Sequence, residues 1–237
     1  MQPPPTPTGP RARGHSGAAA GLATVLTTLF ALLLVLVESE WAPLLSWDRE
    51  CAAELHRRAV AHDGWTQVNR VLSDWVWDPW TMRALLAAAV GWLMWRGDRA
   101  AALWVGAAAL LGTALQQGIK AAVDRARPHW PDPVDTAHYA AFPSGHALTA
   151  TVGCGLLCWL VARHGAAAPW RRAAVAVAAV SVLGVGFTRV YLGVHWFSDV
   201  LGGWLLGGAL VAAVAAWCPA PGAPAPERHG DEGDVPR

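Results

Sequence analysis

The chain has 237 residues, of which 54% are hydrophobic and 15% are charged, and its mean hydropathy is +0.30. Soluble domains carry about 25% charged residues, so the composition argues against an ordinary soluble protein. A net charge of +1 without a basic block also excludes a disordered or nucleic-acid-binding chain. The composition indicates a multi-pass membrane protein that has the lipid bilayer, and no nucleic acid, as a partner.

The two ends of the chain differ from the rest. Residues 1–16 are rich in proline and polar residues, and residues 219–237 are rich in proline, glycine and acidic residues, so both are predicted to be disordered tails. Residues 17–218 between them are predicted to form one membrane domain. Its first apolar run, 18–37, is longer than the apolar region of a signal peptide and lacks a cleavage site, which indicates a membrane anchor.

Six apolar runs are long enough, or nearly so, to cross a bilayer, which takes about 20 residues. Tryptophans at the ends of several runs are typical of helices that end among lipid headgroups. Alanine and glycine dominate the last four runs and allow close helix packing. The sequence therefore predicts an all-α, multi-pass membrane bundle of six helices. The runs are 18–37, 80–96, 100–119, 146–163, 173–190 and 197–217.

The segment 38–79 lies between the first two runs and has a mixed composition. Its apolar residues at helical spacing predict an amphipathic helix on the membrane surface, and a surface helix packed on the bundle explains the spacing equally well. The role of the segment is left open. The residues that set the spacing are Trp65, Val68, Val71, Leu72 and Trp75.

Polar residues gather at the ends of helices three to six. When six spans are connected in order, these ends share one face of the membrane. The residues are Lys120 and Arg127 after helix three, Ser144, Gly145 and His146 before helix four, and Arg189, His195 and Asp199 between helices five and six.

Five of these residues suit a phosphoryl group. Lys120 offers one compact charge, and Arg127 and Arg189 offer planar forks that bind phosphate oxygens in pairs. Ser144 stands at the N-cap position of the fourth helix, and Gly145 lets the backbone approach an anion closely. Such a pocket stabilises the oxygens whose charge is redistributed during phosphoryl transfer.

Two histidines accompany the cations. His195 and Asp199 are four positions apart, so both project from one face at the start of the sixth helix. A carboxylate on one ring nitrogen fixes the tautomer and leaves the other nitrogen aimed at a substrate. His146 lies on another helix, where it suits a general acid that protonates the leaving group. One histidine that attacks and one that protonates suffice for phosphoryl transfer without a metal.

Three motifs carry a resemblance to a known family. In this order, they resemble the signature of the type 2 phosphatidic acid phosphatase superfamily, which includes lipid phosphate phosphatases, polyprenyl-diphosphate phosphatases, soluble acid phosphatases and vanadium haloperoxidases. The third motif often begins Ser-Arg, and here Thr188 keeps the hydroxyl group. The motifs are K-x6-R-P from Lys120 to Pro128, P-S-G-H from Pro143 to His146, and R-x5-H-x3-D from Arg189 to Asp199.

The resemblance implies an integral membrane phosphatase whose catalytic core lies on helices three to six. It implies that His195 is the nucleophile and forms a phosphohistidine, that Asp199 orients it, and that His146 is the general acid. It implies no metal and no cofactor, and a site that faces away from the cytoplasm. It assigns phosphoryl binding to Lys120, Arg127, Ser144, Gly145 and Arg189.

The substrate follows less directly from the sequence. We expect a membrane lipid, first a polyprenyl diphosphate such as undecaprenyl diphosphate, which is recycled for cell-wall synthesis, and next phosphatidate or phosphatidylglycerol phosphate. A vanadate-dependent haloperoxidase is disfavoured by the six apolar runs. A lipid-phosphate transporter or flippase would use the cations but not the histidines, and the intact constellation disfavours a non-catalytic scaffold. No protein partner is predicted, and the oligomeric state is left open.

The orientation in the membrane follows from positive charge. Basic residues divide evenly between the two sides of a six-span chain. Lys120, Arg127 and Arg189 are set aside because the predicted phosphate site accounts for them, which leaves more basic residues on the side of the termini. This predicts both termini in the cytoplasm and the polar site outside. Abundant alanine, glycine and arginine suggest a bacterial plasma membrane.

Other titratable residues receive no catalytic role. His129 and His138 flank the predicted site in the 124–143 loop; substrate contact is one interpretation, and ordinary loop residues are the preferred one. Asp124 and Arg125 are expected, at most, to pair locally. The histidines interpreted as incidental are His15, His56, His62, His164 and His229.

Overall fold

The computed structural model describes residues 10–220. Every regular element within this range is a helix, which confirms the all-α fold class. The helices are α1 (Pro10–Glu38), α2 (Ala42–Ala61), α3 (Asp63–Val71), a π-helical turn (Leu72–Val76), α4 (Pro79–Trp95), α5 (Arg99–Val123), α6 (Gly145–Arg163), α7 (Ala168–Tyr191) and α8 (Phe197–Trp217).

Six of the helices, α1 and α4 to α8, coincide with the six predicted apolar runs. Five helices in the described part of the chain are long and apolar enough to cross a membrane, namely α1 from Ser16 onward, α5, α6, α7 and α8. α4 has 17 residues, slightly fewer than the roughly 20 that a perpendicular crossing takes. The chain is therefore a multi-pass membrane protein.

The predicted tails need one correction. α1 begins at Pro10, so residues 10–16 are helical although the sequence predicted disorder over 1–16. Proline is compatible with the first turn of a helix, because the amide hydrogen that it lacks has no partner there. Residues 1–9 and 221–237 lie outside the described residues, and with them most of both predicted tails and His229.

α8 is the centre of the bundle and contacts α1, α2, α5, α6 and α7. Glycines allow the closest approaches. A Cβ atom at Gly203 would lie 2.7 Å from the carbonyl oxygen of Ser144, and one at Gly207 would lie 2.8 Å from Cβ of Thr151. The close packing predicted for the glycine-rich runs is observed at these two positions, where the start of α6 lies directly against α8.

The segment 38–79 forms α2, α3 and the π-helical turn. In α3 and the turn, polar side chains are buried and large apolar ones are exposed, the reverse of a surface helix in a soluble protein. The predicted amphipathic helix corresponds to α3 and the π-helical turn, which pack on α2 and α7. Its buried side chains are polar, namely Thr66, Asn69 and Ser73. Its exposed side chains include four large apolar ones, Trp65, Val68, Val71 and Trp75, beside the polar Asp63, Gln67 and Asp74. An exposed apolar face of this kind marks an interaction surface.

The segments that carry the three polar motifs lie at one end of the bundle. α5 and α7 end there, and α6 and α8 begin there. The loop 124–144, the turn 192–196 and the whole segment 39–78 therefore lie at this end. All three polar motifs fall within it.

Candidate active site

His195 and Asp199 form a buried pair at the start of α8. Nδ1 of His195 lies 3.2 Å from Oδ2 of Asp199, and the same oxygen accepts a hydrogen bond from the backbone amide of Trp196 at 2.9 Å. Since an ionised carboxylate only accepts hydrogen bonds, the proton of a neutral His195 lies on Nδ1. Nε2 then carries the lone pair, as the sequence predicted for a nucleophile and its orienting group.

Arg127 lies beside this lone pair. Its Nη1 group is 3.1 Å from Nε2 of His195 and donates to the carbonyl oxygen of Val194 at 2.5 Å. Its Nε group donates to the carbonyl oxygen of Tyr139 at 2.8 Å. Burial and the charge of Arg189 lower the pKa of Arg127 to about 10, so the guanidinium remains charged at neutral pH. A permanent cation therefore adjoins the nitrogen that would attack phosphorus.

The His195 ring is buried among cations. Burial lowers the pKa of His195 well below its usual range, and the surrounding charges lower it further. Both effects disfavour the charged form of an imidazole, so the ring is neutral at neutral pH and keeps its lone pair. The cations that act on it are Arg127, Arg189, Lys120 and Arg125.

Lys120 reaches the loop that precedes α6. Its Nζ group donates to the carbonyl oxygen of Ala140 and, at 3.4 Å, to that of Ala141. The side chain is buried, and it is the single lysine of the sequence. The ammonium group is thus fixed close to the P-S-G-H motif.

Arg189 is held by the π-helical turn. Its Nη1 group donates to Oγ of Ser73 at 2.8 Å and lies 3.9 Å from Asp74 and 3.8 Å from Asp135. Its Nε group is buried and has no hydrogen-bond partner within residues 10–220. An unpaired buried donor costs about 1–3 kcal/mol, and a phosphate oxygen is an acceptor that would satisfy it.

The P-S-G-H motif begins α6 as predicted. Oγ of Ser144 accepts a hydrogen bond from the Ala147 amide at 3.4 Å and caps the helix. The Ser144 amide donates to the backbone carbonyl of Asp199 at 2.9 Å, which ties this cap to α8. A Cβ atom at Gly145 would lie 2.7 Å from Nε2 of Gln116, so the glycine lets α5 approach closely.

The His146 ring faces the same cluster. The charges of Arg189, Arg127 and Lys120 and the ring of His195 act on it. No residue in the described range 10–220 forms a hydrogen bond with its ring nitrogens, which leaves both of them for a ligand. The structure thus brings all eight residues of the predicted site to one end of the bundle, while their individual roles remain predictions.

The predicted loop histidines lie outside this cluster. His129 and His138 are exposed, and only the backbone carbonyl of His138 contacts the site, where it accepts from Nη2 of Arg127 at 3.2 Å. Across residues 10–220 no group of three or more His, Cys, Asp or Glu side chains is arranged to bind a metal ion.

Comparison with known proteins identifies the family. The sequence model of the PAP2 superfamily matches residues 101–222, a range that contains all three motifs. The chain belongs to the PAP2 superfamily. Phosphatidylglycerophosphatase B of Bacillus subtilis is 34% identical over 94 residues, which are 39% of this chain and 46% of that protein. The match thus spans about half the length of this curated relative.

A solved PAP2 structure shares the fold. The crystal structure of the first transmembrane PAP2-type phosphatidylglycerolphosphate phosphatase from Bacillus subtilis superposes with a TM-score of 0.58. The superposition covers 81% of this chain and 93% of the other, at 23% sequence identity. The similarity extends over most of the described helices and beyond the matched PAP2 segment.

Motif-based reasoning missed Arg125 of the PAP2 site. The expected local pair with Asp124 is not formed within the described residues. Instead, Nη1 of Arg125 donates to Oδ1 of Asp199 at 2.5 Å and to Oγ of Ser198 at 2.7 Å, and Nη2 donates to Oδ2 of Asp48 at 2.8 Å. Asp124 ends α5 in the left-handed conformation, with φ of 43°, which turns the chain so that Arg125 points into the bundle.

His56, which the sequence suggested was incidental, also supports this PAP2 site. Its ring is buried and stacks on Trp130 at 4.1 Å between centroids, and the indole of Trp130 donates to the carbonyl of Gly193 at 2.9 Å. Gly193 has φ of 70°, and a Cβ atom there would lie 2.5 Å from Nε1 of Trp130. α2 therefore supports the turn that carries His195.

Proposed function

We propose that this PAP2 protein is an integral membrane phosphatase that hydrolyses a lipid phosphate or diphosphate through a phosphohistidine at His195, without a metal or another cofactor. The observation that carries the proposal is the buried ring of His195, with Asp199 3.2 Å from Nδ1 and the guanidinium of Arg127 3.1 Å from Nε2. A nucleophile needs its lone pair, and a phosphoryl group needs a cation at the point of attack.

The first step is displacement at phosphorus. The Nε2 lone pair of His195 forms a bond to phosphorus as the bond from phosphorus to the leaving oxygen breaks. The leaving oxygen takes its proton from His146, and the ring charge on His195 is balanced by Asp199. A bound phosphate, with up to two negative charges, favours the protonated form of His146 because it offsets the cations that face the ring.

The second step is hydrolysis of the phosphohistidine. A water molecule loses a proton to His146 and bonds to phosphorus, and the bond from phosphorus to Nε2 of His195 breaks. Inorganic phosphate leaves, and both histidines return to their starting states. The spread of charge on the equatorial oxygens in each transition state is stabilised by Lys120, Arg127 and Arg189.

A lipid substrate is supported by the outer surface of the site. α3 and the π-helical turn hold Arg189 through Ser73 on their inner side and expose Trp65, Val68, Val71 and Trp75 on their outer side. An apolar surface directly behind a phosphate-binding arginine suits a molecule with a charged head and hydrocarbon chains. Bilayer lipid is accordingly the proposed partner.

Phosphatidylglycerol phosphate is the first head group to test, because the curated relative is a phosphatidylglycerophosphatase. Undecaprenyl diphosphate, the first expectation from the sequence, remains a prediction beside it, and phosphatidate comes third. We also propose a bacterial plasma membrane, cytoplasmic termini and a site on the extracytoplasmic side. After the four native cysteines are replaced, labelling of a single cysteine inserted after Gly97 or substituted at Tyr139 in intact cells tests this orientation, since only the second is expected to react.

The activity is tested with purified full-length protein in lipid–detergent micelles and a panel of these three lipids. We expect phosphate release that EDTA does not reduce, and faster turnover of long-chain lipids than of a water-soluble monoester. A protein that releases no phosphate from any lipid contradicts the proposal. Lipid movement between leaflets without hydrolysis indicates a transporter, and bromide oxidation with added vanadate indicates a haloperoxidase.

The contact between the π-helical turn and Arg189 gives a separate prediction. Ser73→Ala removes a hydrogen bond to a charged group, which contributes about 1.5–3 kcal/mol, so kcat/KM is expected to fall about tenfold or more. The matched control is Ser181→Ala, because Ser181 lies in α7, the helix that carries Arg189. This variant should leave kcat/KM unchanged. Equal values for both variants would show that Ser73 does not position Arg189.

A further inference from the structure

Arg125 lies between two buried carboxylates. One end of its guanidinium donates to Oδ1 of Asp199 at 2.5 Å, and the other end donates to Oδ2 of Asp48 at 2.8 Å. The Arg125 side chain is 10% exposed, that of Asp48 1% and that of Asp199 0%. The Trp196 ring lies 5.9 Å from the Arg125 guanidinium, so the cation also contacts the turn that carries His195.

Ser198 closes the arrangement into a ring. Its amide donates to Oδ1 of Asp48 at 2.9 Å, its hydroxyl donates to Oδ2 of Asp48, and it accepts from Nη1 of Arg125 at 2.7 Å. The network therefore joins α2, the loop after α5 and the first turn of α8. Buried polar groups of this kind are retained only when every member is satisfied, and each of these has a partner.

The two oxygens of Asp199 are used differently. Oδ2 accepts from Nδ1 of His195 and from the Trp196 amide, and Oδ1 accepts from Arg125. With one oxygen committed to Arg125, the carboxylate cannot rotate away from the imidazole. The guanidinium also balances the charge of Asp199, which is otherwise buried beside a neutral ring.

We propose that Arg125, held in place by Asp48, is a positioning residue that fixes the carboxylate of Asp199 and thereby keeps His195 in the tautomer with its lone pair on Nε2. The inference rests on the proposed function for its catalytic consequence, although the tautomer itself can be measured without turnover. It also assigns a role to α2, which supplies Asp48.

The expected pH effect follows from the charges around His195. The groups that face it are Asp199 from α8, Arg127 and Arg125 from the loop after α5, Lys120 from α5, Arg189 from α7 and His146 from α6. Arg125 is one of the cations that lower the pKa of His195. When this cation is removed, the pKa rises, His195 becomes protonated at a higher pH, and the acid side of the kcat/KM profile moves upward.

The test compares Arg125→Gln with Arg125→Lys in the full-length protein. We expect Arg125→Gln to lower kcat about 10- to 100-fold, by analogy with residues that orient metal-binding side chains, and to shift the acid side of the kcat/KM profile to higher pH. Arg125→Lys keeps the charge but not the fork, so it should lower kcat while leaving the profile near its original position. Asp48→Asn should lower kcat less than Arg125→Gln, because Asp199 keeps its direct partner.

Arg163 supplies a matched control. It forms a comparably buried ion pair with Asp98, 3.0 Å apart, at the other end of the bundle. Arg163→Gln is therefore expected to cost stability without moving the pH profile. If Arg125→Gln and Arg163→Gln behave alike, with lower stability and an unmoved profile, Arg125 is only structural and the proposal is wrong.

Nitrogen-15 NMR of the histidine rings gives a readout that does not depend on turnover. In the parent protein His195, assigned with a His195→Gln variant, should show the tautomer protonated at Nδ1. Arg125→Gln should show a mixture of tautomers and a higher titration midpoint. If the protein hydrolyses no lipid but these shifts appear, the proposed function fails and the positioning role stands. An unchanged tautomer in Arg125→Gln overturns the inference. If Arg125→Gln does not fold, the two single variants Arg125→Lys and Asp48→Asn are measured in its place.

Discussion

Replacing His195 by alanine is expected to lower phosphate release about 10⁴-fold or more, the scale on which loss of a nucleophile acts in other hydrolases. The reason is that Nε2 of His195 is the proposed attacking atom: Asp199 occupies Nδ1, and the guanidinium of Arg127 lies 3.1 Å from Nε2. The measurement is phosphate release from phosphatidylglycerol phosphate in micelles. Turnover in His195→Ala at more than a tenth of the parent rate contradicts the mechanism.

Two further variants make this result specific. His164→Ala changes an exposed histidine at the opposite end of the bundle and should retain parent activity. His146→Ala should accumulate the phosphohistidine with p-nitrophenyl phosphate, because that leaving group departs without a general acid whereas the hydrolysis step still needs a base. Acid-labile phosphate bound to the protein, detected by mass spectrometry at His195, is the expected signal. Its absence from His146→Ala together with normal turnover would argue against a covalent intermediate.

How well the sequence predicts a feature of this protein depends on how far apart in the sequence the interacting residues are. α8 has the predicted bounds 197–217, because a long apolar run in lipid has no alternative to an uninterrupted helix. Ser144 caps α6 as predicted, because capping involves residues three positions apart. Helix bounds and helix caps can therefore be predicted from the local sequence alone.

The constellation could also be predicted, for a different reason. Lys120, His146 and His195 lie on three helices, and their convergence follows from threading the chain back and forth through a membrane. Because successive helix ends must alternate between the two faces of the membrane, few arrangements of the helices are possible. The spacing within each motif then fixes which side chains meet.

The residues that hold the constellation could not be predicted in this way. Asp48 lies 77 positions before Arg125, and nothing in the composition of α2 distinguishes this carboxylate from its exposed neighbours. Ser73 meets Arg189 from the π-helical turn that follows α3, a turn that the sequence did not predict. Both contacts depend on how a surface segment docks on the bundle, which is decided by tertiary packing and not by local pattern.

The exposed face of α3 shows where sequence periodicity remained ambiguous. Trp65, Val68 and Val71 repeat at helical spacing, which predicts an amphipathic helix but does not say which face is turned inward. In a soluble protein they would be buried. Here the polar side chains Thr66 and Ser73 are buried instead, because Thr66 donates to the backbone carbonyl of Ala59 in α2 and Ser73 accepts from Arg189 of α7.

Lys120→Arg is the second substitution from which we expect a large loss, about 10²- to 10³-fold in kcat/KM, comparable to removing one donor that stabilises a transition state. The Nζ group of Lys120 is buried against the carbonyl oxygens of Ala140 and Ala141. A guanidinium is longer and planar, and it cannot occupy that position without displacing the loop. The loop leads through the fully buried Phe142 to Ser144, so its displacement would also shift the cap of α6.

The control for this exchange is Arg172→Lys, at an exposed position near the start of α7 and far from the site, which should leave kcat/KM unchanged. Lys120→Met removes the charge but keeps the length of the side chain, and it separates the two causes. If Lys120→Arg is as impaired as Lys120→Met while it still binds vanadate, geometry and not charge limits the rate. Parent-level turnover in Lys120→Arg would instead show that any cation suffices here. The single lysine, in a chain that otherwise uses arginine for every basic residue, would then have no physical requirement behind it.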